Sequence, residues 1–470
     1  MKVPGKQGWT PSIAAMEGPI YLAIADAIGA AITAGELRAG ERLPTHRALA
    51  DALGVDLTTA TRAYAEARRR GLLQATVGRG TFVRSHTLSP AQPRPKEGPV
   101  DLGMNLPPLP ADPPLQDLLQ QGLSRLLTSG QTSQLLTYRS GSGTAEERQA
   151  GADWLRPVLG KLDPERVLVC AGAQPALLAT LGTLASAGDV VLTDTLTYPG
   201  IRSAAAQLGI RLVGITADAE GLVPEAVEAA CRELRPKALY CIPTIQNPTT
   251  VTMPLARRRA IAEAARRCEL RIVEDDAYGL LPSHPLPAIA SLAPDIGFYL
   301  STVSKVLSPA LRVAYLVAPD ARCAGRLSSA LRANVLMPSP LLTGLLAAWI
   351  HDGTAGTVAS AIRRESIARQ KMAREILPSQ SFDAHEEGLH LWLRLPSRWN
   401  RLDFVAHLRH QGGLAVVPSD AFAVAAADPP PNAVRVSLGA AADREALRRA
   451  LRFLAAALRE ELPAPFSEVV

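Results

Sequence analysis

Seven short apolar runs, at 166–170, 189–193, 211–215, 238–242, 271–273, 297–300 and 313–317, read as strands. Stretches with apolar residues at helical spacing, such as 175–187 and 255–268, lie between several of them. Strands that alternate with helices and carry few polar positions predict a mostly parallel sheet covered on both faces. Two later runs, GLHLWLRL at 388–395 and 433–438, predict a smaller α+β unit beyond that large α/β sheet domain.

The composition breaks sharply at 85–98, where SHTLSPAQPRPKEG carries three prolines and almost no apolar residue. It reads as an extended, solvated linker. The chain therefore divides into a module at 1–84, the linker at 85–98 and a body at 99–470. The module reads as helices at 20–34, 45–53 and 57–71, with Asp56 as an N-cap and Gly71 as a C-cap, followed by a hairpin whose basic tip is Gly78-Arg79-Gly80. Up to Arg84 there are 11 Lys and Arg against 7 Asp and Glu, a net +4 of the chain's +6, which favours a polyanionic partner for this end. Five cysteines without a C-x-x-C pair suit a reducing compartment. No run of 18 uncharged apolar residues exists, so a soluble cytoplasmic protein with no membrane partner is expected.

Lysine is scarce in the body: Lys96, Lys161, Lys237, Lys305 and Lys371 are all that follow Arg84. Only Lys305 directly follows an apolar run, in GFYLSTVSKVLSPALRVAYLV, among the hydroxyls of Thr302, Ser304 and Ser308 and seven residues before Arg312. Desolvation and a nearby cation both disfavour an ammonium, so this amine suits imine formation with an aldehyde. The alternative is a lysine snorkelling from a strand end. In VLVCAGAQPALLATL, a strand, a small-residue turn and a helix direct the N–H groups of Gly172, Ala173 and Gln174 to a place where a phosphate binds, although any tight turn favours such residues. RIVEDDAYGLL ends a strand in two carboxylates, with Tyr278 three residues after Asp275. That carboxylate either pairs with a protonated ring nitrogen or caps a helix. Asn247, before Pro248, offers an amide to a phenolate oxygen or makes a plain turn. The histidines of HEEGLH are five apart rather than four and run into a strand, so they, with His407 and His410, read as surface histidines and no metal is expected.

Taken in order, AGAQ, TLTYPG, QNP, DDAY, STVSK with its downstream arginine, and NAVRVSLG resemble the fold type I aminotransferases that use pyridoxal 5′-phosphate, over about residues 100–462. The resemblance implies that Lys305 forms the internal aldimine, Asp275 pairs with the pyridine nitrogen and Tyr198 stacks on the ring. It implies further that Asn247 and Tyr278 contact the ring hydroxyl oxygen, and that Gly172, Ala173, Gln174, Thr302, Ser304 and Arg312 surround the phosphate. By the same likeness Arg435 clamps a substrate carboxylate, and Tyr138 reaches the phosphate across a homodimer interface.

In the first module, GELRAGERLPTHRALADALGV and GRGTFV resemble the GntR-type winged helix-turn-helix. That implies a double-stranded DNA operator as partner, with Arg47, Thr58, Thr59 and Arg62 facing DNA around the recognition helix and Arg79 in the wing. Arg68, Arg69 and Arg70 add backbone attraction or form a solvated face. Asp56 and Leu57 depart from the Ser and Arg common there. Both halves in this order resemble the MocR-type regulators. The expected function is a pyridoxal-phosphate-dependent transcriptional regulator that senses an amino acid or amine at Lys305; the alternatives are an amino acid aminotransferase with a fused DNA-binding module, and an inactive structural homologue.

Overall fold

The computed structural model describes residues 9–11, 19–34, 36–38, 40–70, 72–76, 80–83, 100–128, 132–139, 141–424 and 429–460. The chain forms two compact units, Met1–Gly98 and Pro99–Val470. Gly71, Gly78, Arg79 and the stretch 85–98 lie outside the described residues.

The first unit contains helices α1 (Ile20–Thr33), α2 (His46–Leu53) and α3 (Leu57–Arg69) and the antiparallel strands β1 (Leu73–Thr76) and β2 (Gly80–Val83). Each helix of the α2–α3 pair starts on a side-chain cap. Thr45 accepts from the Ala48 N–H at 3.2 Å, and Asp56 from the Thr58 N–H at 2.7 Å. Between them Gly54 has a φ of 63°, the left-handed conformation that ends α2 in a tight turn. Ile24, Ile28, Leu49 and Tyr64 are buried together, so three short helices share one small core.

The second unit begins with α4 (Leu115–Thr128), α5 (Thr132–Leu135) and α6 (Ala145–Leu159), followed by β3 (Val167–Cys170) and α7 (Ala173–Leu184). The large sheet continues with β4 (Val190–Asp194) and β5 (Arg211–Ile215); a small hairpin, β6 (Ala217–Asp218) and β7 (Gly221–Leu222), follows. Strands β8 (Ala238–Cys241), β9 (Arg271–Asp275), β10 (Gly297–Thr302) and β11 (Ala314–Val317) complete it. Its order is β3-β11-β10-β9-β8-β4-β5; only β11 runs antiparallel, to both neighbours. The mostly parallel expectation therefore holds.

Strands β9 and β10 outrun their apolar stretches because the ladder continues through polar residues, pairing Leu300 with Asp275. Alternation along the strands feeds separate cores. Val191, Tyr240, Val273 and Leu300 pack on one face, and Val190, Leu192, Leu239 and Ile272 on the other. A four-stranded sheet ordered β12-β13-β15-β14, built from β12 (Phe382–Asp383), β13 (His390–Arg394), β14 (Val417–Pro418) and β15 (Ala433–Ser437), forms the smaller α+β part with a core of its own. No helix among the described residues is long and apolar enough to cross a membrane.

Gly297 opens β10 where a Cβ would stand 2.8 Å from the Ala290 Cα and 3.0 Å from the Ala293 carbonyl oxygen, both backbone atoms that cannot swing aside. Gly297→Ala is expected to cost roughly 1–3 kcal/mol, the usual range for overpacking, and to appear as a lowered melting temperature.

Candidate functional site

Strand β9 ends in Glu274 and Asp275, with Asp276 directly after it, and all three are buried. Alternation turns Asp275 to the face of Val273 and Tyr240, and the Tyr240 hydroxyl donates to its Oδ2 at 2.7 Å. Burial pushes the Asp275 carboxyl up to about 6, against the Tyr240 hydrogen bond and the charge of Lys305. Lys305 sits just past the end of the adjacent β10 and donates from Nζ to the Asn105 carbonyl. Burial brings its ammonium down to about 8; Arg435 and Arg312 push the same way, and Asp275 opposes them. The parallel register thus sets a mostly desolvated amine near a buried carboxylate.

Gly172, at the N-terminus of α7, has a φ of 100°, and a Cβ there would lie 3.0 Å from Nη2 of Arg312. Only glycine admits that approach. Arg312 itself adopts a left-handed φ of 50° and forms no salt bridge among the described residues. Thr302 and Ser304 are buried with their hydroxyls 2.9 Å apart. Ala173 and Gln174 open α7; the Gln174 Nε2 donates to the Gly200 carbonyl at 2.8 Å, and the Tyr198 hydroxyl donates to its Oε1 at 3.4 Å. The structure therefore gathers the turn before α7, Tyr198 and Arg312 on one side of the Lys305–Asp275 pair.

On another side Arg435, buried on β15, donates from Nη1 to the Asn247 Oδ1 at 2.8 Å and from Nη2 to the Gly103 carbonyl. Its guanidinium lies 5.0 Å from the centre of the Phe422 ring. Both of its terminal nitrogens thus rest on protein oxygens. Tyr278 is buried and accepts from the Asn105 Nδ2 at 2.8 Å. Tyr138 stands apart, 83% exposed.

Three residues at this site escaped the sequence reading. Tyr240 lay hidden inside an apolar strand, and Asn105 in a segment, DLGMNLPPLP, without charge signal beyond its first residue. His390, read as a surface histidine, is fully buried, with Nδ1 3.1 Å from the Asn105 Nδ2. Burial, with help from Arg435, drives it down to about 3, so the ring is neutral and Nδ1 accepts. The correction has a simple cause: His390 opens β13, whose first four residues are buried whatever their polarity. No group of three or more metal-ligating side chains occurs among the described residues.

In the first unit Arg47 and Arg62 are exposed, with the Arg62 guanidinium 4.3 Å over the Tyr21 ring. The Thr58 hydroxyl donates to Asp56, and Thr59 is half-buried. Arg69 and Arg70 are tied to Glu66, and Arg70 also to Asp26; Arg68 has no salt bridge among the described residues. Arg79 lies outside them.

Residues 97–454 match the family described as aminotransferase class I and II. The chain belongs to that family. Residues 20–83 match the gntR family of bacterial regulatory proteins, so this member of the aminotransferase class I and II family carries a GntR helix-turn-helix domain, the composition of the MocR-type regulators. Over 95% of its length it is 32% identical to an uncharacterized HTH-type transcriptional regulator, YdeF, of Bacillus subtilis, of which 96% is covered. The probable rhizopine catabolism regulatory protein MocR of Rhizobium meliloti is 26% identical over 80% of this chain and 82% of that one. Among solved structures, the α-aminoadipate aminotransferase LysN of Thermus thermophilus, complexed with N-(5′-phosphopyridoxyl)-L-leucine, is similar at a TM-score of 0.69 and 27% identity, covering 84% of this chain and 98% of that one.

The depressed Lys305 ammonium makes a pH prediction. Its amine is free above about pH 8, so in the cofactor-free protein an amine-acylating reagent should label Lys305 with a rate that rises through pH 8, while exposed lysines follow near pH 10. Arg435→Leu removes a repelling cation and should move that midpoint upward; peptide mass mapping across pH reads both.

Proposed function

We propose that the chain is a pyridoxal 5′-phosphate-dependent transcriptional regulator that binds double-stranded DNA and responds to an amino acid or amine at Lys305. The observation that carries this reading is the Lys305–Asp275 pair, a mostly buried amine brought down to about 8 beside a carboxylate fixed by Tyr240. The residues fit the cofactor on structural grounds. Arg312 is a cation without a salt-bridge partner among the described residues, set against a glycine that leaves room beside it. The hydroxyls of Thr302 and Ser304 and the first N–H groups of α7 add donors for a phosphate.

Bound there, pyridoxal phosphate supplies an aldehyde for amines and a ring that withdraws electrons when its nitrogen is protonated. Asp275 would keep that nitrogen protonated, and the Tyr240 hydrogen bond keeps Asp275 oriented as an acceptor. Lys305 would hold the aldehyde carbon and, once displaced, carry a proton as a free amine. Tyr198 would cover the ring, Asn247 and Tyr278 would face its hydroxyl oxygen, and Arg435 would take a ligand carboxylate. Tyr138, exposed in the single chain, suits a role at the phosphate of a second copy in a homodimer. In the GntR domain, Arg47, Thr58, Thr59 and Arg62 would meet the operator.

A second reading, an amino acid aminotransferase, is favoured by one observation: an amine, a carboxylate and a guanidinium, those of Lys305, Asp275 and Arg435, lie within one another's fields, as proton transfer on a carboxylate-bearing substrate would require. One titration separates the two. The purified chain should show a cofactor absorbance band that Lys305→Ala abolishes. An amino acid or amine that shifts this band stably and changes DNA affinity supports the regulator; conversion that a keto acid reverses supports the aminotransferase. Absence of any band with added cofactor overturns both.

The DNA contact is tested separately. Arg47→Ala should weaken binding to duplex DNA and lower the slope of log affinity against log salt by about one, as expected for one lost phosphate contact, in fluorescence anisotropy at several salt concentrations.

A further inference from the structure

A cavity opens at the C-terminal edge of the large sheet. It encloses about 170 Å³ between the end of β4, the β6–β7 hairpin and the segment 242–253. Strand alternation sets its carboxylate apart from the Lys305 cluster: Asp194 shares the face of Val190 and Leu192, whereas Asp275 shares that of Val273 on the opposite face.

Asp194 lines this cavity and is only 7% exposed. Its carboxylate has a hydrogen bond from its own backbone N–H but no side-chain hydrogen bond or salt bridge among the described residues. The other acid there, Asp218, is exposed and already held by Arg257 through bonds of 3.0 and 2.9 Å. Gln246 is committed as well, donating to the Leu196 carbonyl at 2.6 Å and accepting from the Thr249 N–H and hydroxyl at 2.8 and 2.7 Å. The cavity thus presents one acid without a cationic partner among the described residues, against walls that include Ile242, Pro243, Val251 and Met253.

A buried carboxylate without a cationic partner is costly unless something supplies opposite charge. Burial pushes the Asp194 carboxyl up to about 7, against the hydrogen bond from its own backbone N–H. A hard metal ion needs a shell of free oxygens, and here Asp218 is taken by Arg257 and Gln246 by Leu196 and Thr249. An organic ammonium meets both requirements, with an N–H for the acid and carbon for the walls. The volume is more than about ten times what a single water requires, so a small organic molecule fits.

We propose that this cavity binds a small aliphatic ammonium compound whose N–H donates to Asp194 and whose alkyl part packs on Pro243, Val251 and Met253. The site needs no imine chemistry and stands independently of the cofactor reading. Its guest touches Thr195, Leu196 and Gln246, next to the residues that carry Tyr198 and Asn247.

N,N-Diethylmethylammonium is the probe, because a tertiary amine cannot form an imine with the cofactor aldehyde proposed to sit at Lys305, and pentan-3-ol is the neutral control. Calorimetric titration of the full chain should show saturable binding of the ammonium and weaker binding of the alcohol. Asp194→Asn should weaken the ammonium by roughly ten- to a hundredfold, as expected for a lost charged hydrogen bond. Val251→Phe, which fills the cavity and leaves the acid in place, should abolish binding; it decides the matter if circular dichroism finds Asp194→Asn unfolded. No saturable uptake by the wild type, undiminished affinity in folded Asp194→Asn, or retained binding in Val251→Phe overturns the proposal. The cofactor band, recorded on the same samples, reports the Lys305 reading separately.

Discussion

Three consecutive carboxylates are buried at the end of β9, and much of the large domain is arranged around making that tolerable. Glu274 receives the N–H groups of Ile289 and Ala290 at 3.1 and 2.7 Å. Asp276, on the same face, accepts from the Tyr299 hydroxyl at 2.9 Å and lies in the field of the fully buried Arg258, which is itself held by four protein oxygens. Glu274 is satisfied by the fold on both oxygens, whereas Asp276 is bonded through Oδ2 and leaves Oδ1 without a hydrogen-bond partner among the described residues. Asp275 alone faces the other way, where Tyr240 satisfies one of its oxygens and leaves the other toward the site. A single residue of register decides which of two neighbouring aspartates faces the Lys305 cluster and which faces Arg258 on the other side of the sheet.

The pattern of apolar runs carried the large sheet because fully buried parallel strands have little else to contain. It carried the ends of β9 and β10 less well, since Asp275 and Thr302 remain in the ladder although neither is apolar. Motif order brought Lys305, Asp275, Arg435 and Asn247 into view, yet not that Asn247 and Arg435 bind each other. Tyr240 could be placed only through strand pairing, because its partner, Asp275, is 35 positions along the chain. His390 and Asn105 were the least legible. A buried neutral histidine and an asparagine in a proline-rich segment leave no local periodicity, and their meeting spans 285 residues.

Within the first unit the reverse applies. Caps at Thr45 and Asp56 and the left-handed Gly54 are local features, so the helix-turn-helix could be read almost residue by residue. The charge could not. Of three consecutive arginines, two are neutralised by Glu66 and Asp26, acids 3 to 44 positions away, and the basic surface is narrower than composition suggests.

Two cations of the site, Arg435 and Lys305, lean on the same short stretch of backbone, through the carbonyls of Gly103 and Asn105. The Asn105 amide ties that stretch to Tyr278 and His390 as well. Residues 103–105 thus act as a shared ledge: any displacement of it withdraws an acceptor from the lysine and from the arginine at once, so the two cannot be reseated one at a time.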